Sequence, residues 1–121
     1  MTTTANIPVE GDPLFYAGTT HQIWGLITEA GNPKDITDAS IVWILAVDAD
    51  TTPLVVKTTP TQITIPDPTG GLFIVYLEGG DTATLGGHTY YHEARAAIDE
   101  TQEVVFAGTI TITQSDTVGL V

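Results

Sequence analysis

Thr, Val and Ile, the side chains branched at Cβ, supply 44 of the 121 residues. Such residues are stiff at χ1 and suit a pleated surface better than a helix. No window keeps an apolar i, i+3, i+4, i+7 stripe over three turns, whereas several alternate with period two. Prolines at 8, 13, 33, 53, 60, 66 and 68 and Gly-Gly pairs at 70/71, 79/80 and 86/87 cut the chain into short segments, with no proline expected inside a good strand. The segments are Leu14–Ala17 (weak), His21–Thr28, Ser40–Val47, Pro53–Thr58, Gln62–Ile65, Leu72–Leu77, Thr89–Ile98 and Glu103–Thr113. The pattern predicts an all-β fold, an immunoglobulin-like antiparallel β-sandwich of seven to eight strands. Asp81 is expected to cap one helical turn reaching Leu85.

Residues two apart share a sheet face, so the better strands can be oriented. Tyr90, His92, Ala94, Ala96 and Ile98 read as core, with Tyr91, Glu93 and Arg95 opposite. Phe73, Val75 and Leu77 point inward, Ile74 and Tyr76 outward. Along the last strand Val104, Phe106, Gly108, Ile110 and Ile112 are expected inside, with Val105, Ala107 and a threonine ladder outside. Ser40–Val47 is apolar on both faces, as in a central strand or one covered by a neighbouring subunit.

At 121 residues the chain fits one domain, and it lacks cysteine, which excludes thiolate catalysis, Cys-ligated zinc and disulfide scaffolding. Three basic residues against fifteen acidic ones give a net charge of −12, too few cations to neutralise phosphates or grip an anionic membrane. Neither nucleic acid nor membrane is expected as a partner. The opening residues carry no basic and apolar secretory pattern, so synthesis in a cytoplasm is expected. We divide the chain into an N-terminal arm (1–10), the sandwich (11–113) and a C-terminal arm (114–121). Both arms hold apolar residues, and Ile7, Val9, Leu120 and Val121 are candidate assembly contacts for a neighbour's open sheet edge, the alternative being that the arms fold back along their own domain.

Chemistry is sparse. His88 and His92 have a metal-like spacing, but on a strand four residues span about 13 Å, too far for one ion. His92 is expected to be hydrogen-bonded near the core edge. Ser40 and Ser115 lack a nucleophile context, and no carboxylate sits in an apolar setting; Glu93 comes nearest and is expected to pair with Arg95. Calcium is the ion best matched by Asp35/Asp38 and Asp48/Asp50, yet turn aspartates mimic backbone hydrogen bonds without an ion. No catalytic, cofactor or metal residue is therefore assigned. Trp24 and Trp43 with Tyr76 or Tyr91 could form a sugar-stacking platform, but Trp43, within an apolar run, is the expected core anchor.

Gly31-Asn-Pro-Lys-Asp-Ile-Thr-Asp-Ala-Ser-Ile-Val-Trp resembles the N-terminal domain of phage baseplate upper proteins and related immunoglobulin-like phage tail modules. The family pattern is a Gly-x-Pro turn, an Asp-aliphatic-Thr-Gly-Ala segment and an apolar strand; Asp38 stands where the family has Gly. Gly11-Asp12, Gly71-Leu-Phe-Ile-Val-Tyr-Leu, Asp81-Thr, Leu85-Gly-Gly, Tyr90-Tyr-His-Glu and Gly108-Thr-Ile-Thr-Ile are similar to further parts of those modules. The resemblance implies no catalytic residues. It implies a noncatalytic structural virion protein, a sandwich that forms a homo-oligomer in the tail, baseplate or neck and docks other phage structural proteins. A capsid decoration protein and a carbohydrate-binding module meeting a host-surface glycan are the alternatives.

Overall fold

The structure is a computed structural model that describes residues 16–98 and 100–114, together with the backbone of residues 2–5. Its strands are β1 (Thr2–Ala5), β2 (His21–Glu29), β3 (Asn32–Pro33), β4 (Ser40–Ala46), β5 (Val55–Thr58), β6 (Ile63–Asp67), β7 (Leu72–Leu77), β8 (His88–Ile98) and β9 (Thr101–Ile112), with one helical turn, α1 (Gly79–Thr82). They form an all-β sandwich of two antiparallel sheets, ordered β1-β2-β7-β6 and β5-β4-β8-β9, with β3 paired to β2.

The inward alternation of β2, β4, β7 and β8 builds the core. Ile23, Ile27, Phe73 and Val75 of one sheet join Ile41, Trp43, Leu45, Ala94 and Ile110 of the other in one buried cluster. The Phe73 and Phe106 rings stack across the two sheets with centroids 6.3 Å apart. The run from Ser40 is the predicted central strand: β4 is flanked by β5 and β8.

Turn chemistry sets the connections. Ala30 and Gly31 have φ of 52° and 83°, and this two-residue link with both central residues left-handed matches the twist of the β2–β3 hairpin. Gly71 has φ of 76°, and a Cβ there would strike the Ile27 carbonyl oxygen, so the entry to β7 requires glycine.

Five features differ from the sequence reading. Val104 is 51% exposed and Val105 is buried, the reverse of expectation, because Ala94 pairs with Phe106 and Arg95 with Val104. The extra residue is a β-bulge, which inverts the facing of the strand before it. Pro66 lies inside β6, where the register shifts between Thr64 and Asp67; β6 is an edge strand, which tolerates the missing N–H. Asp81 is not the helix cap: it is the third residue of α1, and its carboxylate accepts the Glu78 N–H at 2.7 Å. The short β3 was not anticipated, and in β1 residues 2–5 of the expected docking arm pair antiparallel with β2 of their own domain. Of the weak first segment, Tyr16 forms an isolated parallel bridge to Thr113.

Candidate functional site

His92 is fully buried at the centre of the core, not at its edge as the strand pattern suggested. Its Nδ1 accepts the Trp43 Nε1–H at 3.2 Å, fixing the proton on Nε2, which has no hydrogen-bond partner among the described residues. Trp43 meets the imidazole edge-on at 6.0 Å and Phe106 lies tilted at 5.3 Å. Burial in this aromatic box pushes the His92 imidazole down to about 4. Trp43 is itself fully buried, as a core anchor should be. His88 is exposed at the start of β8, so the two histidines do not converge.

Chemistry at the surface collects on the outer face of the β5-β4-β8-β9 sheet. There the Tyr91 hydroxyl donates to Glu93 Oε1 at 2.6 Å and Arg95 Nε donates to Glu93 Oε2 at 2.6 Å. The Tyr91 hydroxyl, with Arg95 second, holds the Glu93 carboxyl below its ordinary value. Val42, Ile44, Val56 and Val104 surround this cluster, all exposed except the half-buried Ile44. A second cation points inward: Lys57 of β5 is buried and pairs with Asp81 Oδ2 at 2.8 Å, tying the edge strand to α1. The third, Lys34, pairs with Glu29.

The aromatic platform considered from sequence is reduced to two members. Trp43 is core and Tyr91 belongs to the other sheet, which leaves Trp24, 39% exposed, and Tyr76 as diagonal neighbours across β2 and β7. Beside Tyr76 a cleft of about 530 Å³ is lined by Thr20, His21, Gln22, Leu77 and Glu78. Another, of about 510 Å³, runs from Asp38 to Ile65 past Pro60.

The aspartate pairs serve their own turns. Asp35 Oδ1 accepts the Thr37 N–H and hydroxyl at 2.9 and 2.6 Å, and Asp48 Oδ1 accepts the Asp50 N–H at 2.9 Å. Among the described residues no three His, Asp or Glu side chains converge, and no helix is long and apolar enough to cross a membrane. Ile7, Val9, Leu120 and Val121 lie outside the described residues. Sequence reading found each member of the Glu93 cluster but not its setting, because the apolar residues around it come from β4, β5 and β9. No family model matches the chain, and no curated protein matches it.

Proposed function

We propose that the chain is a noncatalytic structural subunit of a tailed-phage particle, an immunoglobulin-like sandwich that self-associates in the tail, baseplate or neck and docks other virion components. The observation that carries the reading is the distribution of charge. On a chain of net charge −12, the outward positions of β2 and β7 (Gln22, Trp24, Leu26, Leu72, Ile74, Tyr76) carry none. On the opposite face, among the described residues, the outward positions of β4, β5 and β8 carry only the compensated Glu93–Arg95 pair. Most acids instead sit in the connections, which keeps a subunit soluble while two broad faces remain open to neighbours.

Three details support the immunoglobulin-like part. The sheet orders correspond to strands A-B-E-D and C′-C-F-G, with buried Trp43 on the C strand. Near the start of the F strand, the Tyr90 hydroxyl donates to the Leu85 carbonyl at 2.8 Å, as in a tyrosine corner. Asp38, at the family's glycine position, has φ of 66°, a conformation that glycine and aspartate share most readily. Mass spectrometry of particles purified from a producing culture tests the proposal: the chain is expected at stoichiometric abundance, and its absence from intact particles refutes the reading. A glycan-binding module is the second reading, favoured by Trp24 and Tyr76 beside the polar cleft; a glycan titration separates the two.

A further inference from the structure

We infer that the outer face of the β5-β4-β8-β9 sheet is a self-complementary contact that seats a second copy of this chain across a two-fold axis. The inference rests on the self-associating part of the proposed function and names its surface. Strand register arranges the face in two adjacent rows. One runs Val56, Ile44, Glu93, Ala107 and the next runs Thr58, Val42, Arg95, Val104. A two-fold axis parallel to the sheet and midway between the two facing copies, perpendicular to the strands and above the line between these rows, lays each row of one copy over the other row of its mate. Ile44 then meets Val42, Ala107 meets Val104, Val56 meets Thr58 at the rim, and Glu93 meets Arg95, so apolar groups face apolar groups at the centre and the acid faces the base at both symmetry-related points.

The charge pattern selects this occupant. Glu93 and Arg95 are the charges among the outward positions of β4, β5, β8 and β9 up to Val104, so copies of an acidic chain approach here with little net repulsion. Lys34 and Lys57 are engaged by Glu29 and Asp81, whereas the Arg95 side chain is 60% exposed and its ion pair with Glu93 runs through Nε. Its two terminal nitrogens make no hydrogen bond among the described residues, and each Glu93 oxygen, already accepting one bond, retains a lone pair for such a donor. Sheets stacked face to face lie about 10 Å apart, a gap that Val and Ile side chains fill from both sides and an Arg–Glu pair spans.

Sedimentation equilibrium of the full chain and of Glu93→Arg, Arg95→Glu and the double exchange tests the inference, with circular dichroism checking each fold. The wild type is expected to dimerise, and each single variant to self-associate about tenfold more weakly or worse, because like charges then face one another. The double exchange, and an equimolar mixture of the two single variants, are expected to restore association, since both recreate opposite charges across the axis. Single variants that associate like the wild type overturn this face and leave self-association to another surface. A wild type that stays monomeric at several hundred micromolar overturns the inference together with the self-associating part of the proposed function.

Discussion

Acid should weaken this protein through one side chain. His92 is enclosed by Trp43 and Phe106 and titrates at about 4 when folded, against about 6.5 in an unfolded chain. The unfolded state therefore takes up the proton first, so stability is complete above about pH 6.5 and falls as the pH drops toward 4. A shift of that size is worth about 3 kcal/mol at its limit, and about 2.5 kcal/mol is lost between pH 7.5 and pH 4.5. Other groups move in the same interval: protonating carboxylates relieves the repulsion of a −12 chain, and burial also lowers the His21 imidazole. His92→Gln separates these effects, since the amide oxygen can still accept the Trp43 N–H but does not titrate. Urea unfolding of both proteins, followed by tryptophan fluorescence at half-unit pH steps, gives the difference directly. The wild type should lose its advantage over the variant by about 2.5 kcal/mol across that range. A difference that stays flat would show that His92 is not held neutral by burial.

Trp43→Ala should cost about 3 to 5 kcal/mol in chemical denaturation, with Trp24→Ala costing far less; equal losses would contradict their burial. Asp81→Ala should lower stability by about 3 kcal/mol because it strands the buried Lys57 ammonium, whereas Lys57→Met, which removes the buried charge itself, should cost under about 1 kcal/mol. Thermal melts compare the two, and equal damage would refute a role for the unpaired charge. EDTA should leave the melting temperature unchanged, since Asp35 and Asp48 already bond their own turns; a rise of several degrees on adding calcium would overturn this.

The sequence is most readable where alternation runs unbroken. Leu72–Leu77 and the facing of Tyr90 through Ile98 are as the pattern predicts, because no inserted residue interrupts the period-two alternation of either strand. Alternation cannot register an inserted residue, so the bulge at Val105 inverted Val104 and its neighbour: two adjacent valines read equally well in either phase. Thr2–Ala5 joins a sheet through backbone pairing without any apolar rhythm to betray it. His92 was placed on the correct face, but its depth depends on Trp43 arriving from β4, a contact 49 residues away. The Glu93–Arg95 pair was legible as a local pair two residues apart, while the rows around it exist only once four strands are in register.

Two sheet edges bear on how large an assembly can become. Strand addition is open-ended, since every strand that joins an edge presents a fresh edge to the next, whereas a face contact across a two-fold axis consumes both surfaces and stops. Pro66 and the interrupted ladder of β6 withhold hydrogen-bonding groups from an incoming chain. The four-residue β5 turns Lys57 inward, so its edge is short and anchored to Asp81. These residues contribute little to the apolar core, yet they act as terminators: at these two edges they withhold the template that a growing fibre would need.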